Sequence, residues 1–300
     1  YIMDLKNKIS GHGVAMITPF DNDLRVDFNS ISNVTNNLIN NGVDFLVVLG
    51  TTSESPTLKR EEKREIMKHI VSVNSNRLPL VIGLASNSTE RVLEDLEYYD
   101  LNSFDALLSV TPYYNKPNQT GLYYHYKHIA INSPLPLILY NVPHRTGVNI
   151  LPETVCKLAE DFDNIIGIKE ASNDIKQAEE LLKLCPNDFI VFSGDDQLSV
   201  PMISLGAKGW ISVIGNAMPK KCSEMLSLAI KKDIKGATIY QNQISNLIQM
   251  IFSEGNPTGI KALMNILELC QNTLRLPLVP ASNKLIKKLK DEVVLNKDLF

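Results

Sequence analysis

Ile165-Ile166-Gly167-Ile168-Lys169-Glu170-Ala171 is a short apolar run that closes on a lysine. Its length and β-branched content read as a buried strand. Lysine is rarely buried without a partner or a chemical task, so Lys169 is the residue to explain. Seven runs of the same character flank it, at 13–20, 45–50, 80–85, 106–112, 135–142, 189–195 and 209–216. Segments of helical period separate them, at 27–40, 59–73, 88–99, 119–131, 152–161 and 175–184. The last link, 197–205, has room only for a short helix.

Continuously apolar strands alternating with helices predict a parallel sheet covered by helices. Eight such units match an α/β fold of the (β/α)8 TIM-barrel type, whereas an open doubly wound sheet has five or six. An open sheet would also want a glycine-rich phosphate turn after an early strand, and no GxGxxG or P-loop occurs. Gly11-His12-Gly13 reads as a turn leading into the first strand. From Pro219 onward the strand signals stop, and helical ones follow at 220–231, 234–252, 258–269 and 282–290. The expected division is a barrel over 1–218 and a C-terminal helical region over 219–300, which packs on the barrel or mediates assembly. Asn256-Pro257 and Leu276-Pro277 mark its turns.

The 300 residues are 44% hydrophobic and 21% charged, enough for one large core. Net charge is -3, and the densest basic run, Lys284-Leu285-Ile286-Lys287-Lys288-Leu289-Lys290, has helical spacing, so nucleic-acid binding has no support. No apolar stretch approaches the roughly 20 residues of a membrane span, and no leader peptide is expected. Cys156, Cys185, Cys222 and Cys270 are scattered without a CxxC pair or histidines at ligand spacing. A reduced, cytoplasmic protein without a metal is the expectation.

Barrel enzymes place their chemistry at the C-terminal ends of the strands. The second run ends in Gly50-Thr51-Thr52-Ser53-Glu54-Ser55, a turn that either holds a carboxylate or caps the next helix. The fifth ends in Tyr140-Asn141-Val142-Pro143-His144-Arg145-Thr146-Gly147, bringing a phenol that can relay protons and a guanidinium that can clamp a carboxylate. Alternation puts Lys169 on the face of Ile165 and Gly167, so an inward face would carry the amine into the barrel mouth. A neutral amine there suits Schiff-base chemistry. The bland alternative is a snorkelling lysine paired with Glu170. His125 and His128 lie one helical turn apart, and a helix surface is their expected home. Asp195-Asp196 either binds a cation, caps a helix or orients a loop. Five of the ten tyrosines, Tyr113, Tyr114, Tyr123, Tyr124 and Tyr126, follow the fourth run, where packing or a subunit interface would use them.

Taken with Thr111-Pro112-Tyr113-Tyr114-Asn115-Lys116-Pro117 and Ser193-Gly194-Asp195-Asp196, these motifs resemble, nearly end to end, the dihydrodipicolinate (4-hydroxy-tetrahydrodipicolinate) synthase family. The threonine, tyrosine and lysine elements are shared with the wider pyruvate-dependent aldolase and N-acetylneuraminate lyase superfamily. The resemblance implies a lyase of lysine and diaminopimelate biosynthesis that condenses pyruvate with L-aspartate 4-semialdehyde. It implies a pyruvate imine on Lys169 and no external cofactor. Tyr140 would transfer protons through a relay completed by Thr51 and by Tyr114, whose equivalent reaches into the neighbouring subunit's site. Thr52 would bind the pyruvate carboxylate, Gly194 and Ile211 would line its pocket, and Arg145 would grip the second substrate. A homotetramer built as a dimer of dimers is implied.

Arg145 separates this reading from sugar-acid aldolases and N-acetylneuraminate lyases, whose partner aldehyde is a polyol. A keto-acid sensor that has lost catalysis would lack Lys169 or Tyr140, and both are present. Two departures stand out. Ser53 replaces a frequent glycine, which costs energy if that position needs positive φ. Arg60, Lys63 and Arg91 stand where lysine-inhibited members hold the inhibitor's amine, although Asn87 and Tyr113 are kept, so weak or absent inhibition by lysine is expected.

Overall fold

The computed structural model describes residues 2–299. Its elements run α1 (Ile2–Lys8), β1 (Gly11–Ala15), α2 (Phe28–Asn40), β2 (Phe45–Val48), α3 (Arg60–Asn74), β3 (Leu80–Gly83), α4 (Thr89–Tyr98), β4 (Ala106–Val110), α5 (Gln119–Asn132) and β5 (Leu137–Asn141). There follow α6 (Pro143–Thr146), α7 (Pro152–Asp161), β6 (Ile165–Glu170), α8 (Ile175–Leu184), β7 (Ile190–Ser193), α9 (Ser199–Leu205) and β8 (Gly209–Ser212), then α10 (Pro219–Ile230), α11 (Ile234–Ser253), α12 (Thr258–Ile266) and α13 (Asn283–Leu295). The eight strands are parallel and close in sequence order, β8 returning to β1. This is the expected TIM barrel with additional C-terminal helices.

Two apolar layers hold it together. Side chains on alternate strand positions, among them Phe45, Val47, Val81, Leu108, Ile138, Phe192 and Ile211, fill the barrel interior, and Leu5 and Ile9 from the N-terminal segment join that cluster. Phe45 and Phe192 meet edge to face with ring centroids 5.7 Å apart. The opposite strand faces pack against the helices. Each fully buried Val, Leu, Ile or Phe contributes about 1.5–3 kcal/mol. At the strand ends the seams are polar. Asp196 accepts hydrogen bonds from the Trp210 indole and from the backbone N–H groups of Val213 and Ile214, tying β7 to β8. Asn216 accepts from Ile17 N and donates to Ala15 O, tying that turn to β1.

Four expectations are corrected. Gly11-His12-Gly13 lies within β1, because the backbone runs so close to Asp44 and Phe45 that side chains there would collide. The β5–β6 pairing skips one residue, so Ile166 joins the interior cluster while Ile165 packs outward, and simple alternation fails at the start of β6. His125 is buried, its Nδ1 within 2.8 Å of Thr89 Oγ1, because α5 is covered by both α4 and α7. Cys156 and Cys185 are joined by a disulfide rather than reduced, since the α7–β6–α8 packing brings their Cα atoms within 4.6 Å, and Cys222 and Cys270 stay free and buried. No helix among the described residues is long and apolar enough to cross a membrane.

His12 is wholly buried between Ser212 and Ser223 and stacks on Trp210. Burial pulls its pKa down to about 3, and that of His125 down to about 4. Below the unfolded value near 6.5 the unfolded chain takes up protons that the folded chain refuses. Stability is therefore lost as pH falls, by about 1.4 kcal/mol per pH unit for each histidine. Asp196, pushed up to about 6 by burial, acts in the opposite sense between that value and 3.8. Replacing His125 by Gln should flatten the fall in urea midpoint from about pH 6.5 to 4 relative to the parent chain; parallel slopes would mean that His125 is protonated in the folded state.

Candidate active site

The C-terminal mouth of the barrel opens into a cavity of about 440 Å³ lined by residues that include Thr51, Lys63, Tyr113, Tyr140, Arg145 and Asn256. Strand pairing sets Tyr140 directly beside Lys169. Both are buried, and the Lys169 ammonium lies 4.4 Å from the centroid of the Tyr140 ring. Among the described residues no carboxylate forms an ion pair with Lys169, so the snorkelling pair with Glu170 does not form. Glu170 points the other way, accepting hydrogen bonds from Asn141 Nδ2 at 3.0 Å, Gln177 Nε2 at 2.9 Å and Ser172 N at 2.6 Å. Burial raises its pKa, and these donors pull against that rise. Asn141 and Glu170 are themselves a cross-strand pair, so this bridge lies directly behind Tyr140 and Lys169.

Gly194 leaves room for the lysine stem. A Cβ there would stand 3.0 Å from Lys169 Cγ and 2.8 Å from Ala171 Cβ. Ile211 sits in the interior cluster with Tyr140 and Phe192.

On the opposite wall a 3-10 turn, Thr51–Ser53, follows β2, and a second, Ser55–Thr57, follows it. Ser53 itself lies in the first of these turns, and the left-handed residues are Leu49 at φ 58° and Glu54 at φ 56°, so serine in place of glycine carries no conformational cost. Each such non-glycine residue costs about 1–3 kcal/mol. Gly83 makes the turn possible, because a Cβ there would meet Leu49 O at 2.7 Å. Thr52 is buried, and its hydroxyl accepts from Asn256 Nδ2 at 3.0 Å. Arg145 is exposed at the rim and donates to Asn256 O at 3.3 Å. One asparagine from the C-terminal helical region thus joins the two residues expected to hold carboxylates, and its own Oδ1 is buried without a partner.

Of the expected residues, Lys169, Tyr140, Gly194 and Ile211 gather at the strand ends, Thr51 and Arg145 line the cavity, and buried Thr52 bonds to Asn256 of its wall. Tyr114 does not join them: it is 88% exposed at φ 75°, and Tyr113 lines the cavity instead. Asp195 spends its carboxylate on the backbone N–H groups of Gln197 and Leu198, and Asp196 on those of Val213 and Ile214 and on the Trp210 indole, orienting the loop after β7. Among the described residues no cluster of three His, Cys, Asp or Glu could hold a metal ion. Sequence reasoning missed Asn256, taken only as a turn marker, and the Asn141–Glu170 bridge, although both members adjoin residues already singled out.

Residues 8–295 match the model of the dihydrodipicolinate synthetase family. The chain belongs to that family. A 4-hydroxy-tetrahydrodipicolinate synthase of Flavobacterium psychrophilum is 50% identical over 279 residues, covering 93% of this chain and 95% of the relative. The solved structure of a monomeric dihydrodipicolinate synthase variant superposes with a TM-score of 0.95 at 37% identity, covering 99% of both chains. A chloride-inhibited dihydrodipicolinate synthase from Acinetobacter baumannii, complexed with pyruvate, gives a TM-score of 0.94 at 39% identity, over 97% of this chain and all of that one. As a member of the dihydrodipicolinate synthetase family, the chain is a lyase.

Replacing Glu170 by Gln puts an amide N–H against donors that need an acceptor. The variant should lose about 1–3 kcal/mol in urea unfolding; an unchanged midpoint would show that the bridge behind Tyr140 and Lys169 is not charge-assisted.

Proposed function

We propose that this chain is a 4-hydroxy-tetrahydrodipicolinate synthase, condensing pyruvate with L-aspartate 4-semialdehyde in lysine and diaminopimelate biosynthesis in the cytoplasm. The observation that carries the reading is Lys169 held over the ring of Tyr140, without a carboxylate partner, Tyr140 itself lining the cavity that Arg145 also lines. The Lys169 amine adds to the keto carbon of pyruvate, and loss of water gives a protonated imine. The imine withdraws electrons, so a methyl proton leaves and the resulting enamine carbon attacks the aldehyde, whose oxygen takes up a proton. Tyr140 serves these transfers, with Thr51 as its neighbour in the cavity and Tyr114 supplied by an adjoining subunit of a homotetramer. Attack of water or of the product's own amine frees Lys169, and no external cofactor enters the cycle. Thr52 and the turn amides hold the pyruvate carboxylate between Gly194 and Ile211, and Arg145 clamps the carboxylate of the aldehyde.

Borohydride reduction in the presence of pyruvate, followed by peptide mapping, should place a single adduct on Lys169 and none in Lys169→Met. An unmodified Lys169, or an adduct elsewhere, sinks the mechanism. Condensation should require a carboxylated aldehyde, and turnover of N-acetylneuraminate or 2-keto-3-deoxygluconate in its place would favour an aldolase instead.

Free lysine should leave the initial rate essentially unchanged. Arg60 is paired with Asp95 at 2.9 Å, and Lys63 lines the cavity, so a cationic inhibitor would approach cations. Strong inhibition in a purified assay would contradict this.

A further inference from the structure

The turn between Leu49 and Glu54 is bracketed by two left-handed residues that are not glycine, so its own backbone preferences do not account for its shape. Glu54 is anchored elsewhere. Its Oε1 pairs with Lys261 Nζ of α12 at 2.5 Å, both side chains being fully buried. Its Oε2 accepts from Arg275 N at 3.0 Å. Lys261 also donates to Thr273 O at 2.9 Å and lies 4.2 Å from the centroid of the Phe20 ring, beside which the Arg275 guanidinium also rests at 4.4 Å. Arg275 continues to Glu62 on α3 and to Thr57 O. The bonds of Glu54 to Lys261 and Arg275, and of Arg275 to Thr57 and Glu62, fasten the chain immediately after Thr51 and Thr52 to the C-terminal helical region. A buried ion pair is a poor source of net stability, because desolvation offsets its attraction. Its position beside strained backbone at the edge of the cavity calls for another role.

We propose that Glu54 and Lys261 are positioning residues: their buried pair holds the Leu49–Glu54 turn in the conformation that aims Thr51 and Thr52 at the carboxylate of the keto acid. The inference rests on the reading of that subsite given above. Neither residue touches the reacting atoms. Both act through the threonines, so their loss should weaken use of pyruvate before use of the aldehyde.

Two variants separate positioning from mere support. Glu54→Asp keeps the charge but shortens its reach by one methylene. The double variant Glu54→Gln with Lys261→Met removes both charges at nearly constant volume, a change that often leaves stability intact. With thermal midpoints near that of the parent chain, the variants should show faster amide exchange in peptides covering 49–58 and unchanged exchange in β6. The KM for pyruvate should rise by about tenfold or more, as expected for a group displaced by the order of 1 Å, while the KM for aspartate 4-semialdehyde changes little. Parent-like exchange at 49–58 with a parent-like pyruvate KM in a folded variant overturns the proposal. Should the double variant fail to fold, Glu54→Asp alone decides. Should the parent enzyme fail to use pyruvate, the functional reading falls, and the exchange at 49–58 still reports whether the pair holds the turn.

Discussion

The pairing of β5 with β6 is the constraint on which the mouth of the barrel depends. A one-residue slip in a strand moves every side chain to the opposite face. The structure contains such a skip between the Leu137 and Ile138 pairings, and above it the two strands run in step, Tyr140 beside Lys169 and Asn141 beside Glu170. One register therefore makes two different pairs. The inner is a phenol and an amine, and the outer is an amide and a carboxylate. Because Glu170 is committed to Asn141, Gln177 and Ser172, it cannot neutralise the lysine next to it in sequence. Lys169 is left against the Tyr140 ring, an attraction of about 0.5–2 kcal/mol that does not tie up the amine as a carboxylate would.

Polar burial is distributed unevenly along the barrel. The interior is apolar and joined by Leu5 and Ile9, whereas Asp196, Asn216, Glu170 and the Glu54–Lys261 pair cluster at the C-terminal strand ends. There the loops must take fixed shapes over a cavity, and side-chain acceptors replace the ladder bonds that the strands no longer supply. The cost is visible in Asp196, whose carboxyl is pushed up to about 6 even though backbone and indole donors serve it.

The alternation of elements was legible because it rests on local periodicity. The eight runs became eight strands, each ending before the run did, since apolar residues beyond the ladder, such as Leu49 and Val142, line the cavity without pairing. What could not be read depends on long-range contact. Nothing near Lys261 separates it from a surface lysine, because its partner lies 207 residues away. His125 has the spacing of an exposed helical residue, yet neighbouring helices cover it from both sides. Cys156 and Cys185 carry no motif, and only the packing of α7 on α8 brings them together. The same limit applies to Asn256, whose proline neighbour marked a turn and concealed a link between Thr52 and Arg145.

These distant residues alter the status of the C-terminal helices. The barrel strands carry Lys169 and Tyr140, but Asn256, Pro257, Pro277 and Leu278 complete the cavity wall. Lys261 and Arg275 then fix the turn after β2 from behind. A chain ending after β8 would keep the amine and the phenol in register, because Asn141 and Glu170 lie within the barrel. It would lose the partner of Thr52, the acceptor of Arg145 and the cation paired with Glu54. The amine and the phenol proposed for covalent chemistry therefore belong to the barrel, and the groups that shape the cavity wall depend on the helices that follow it.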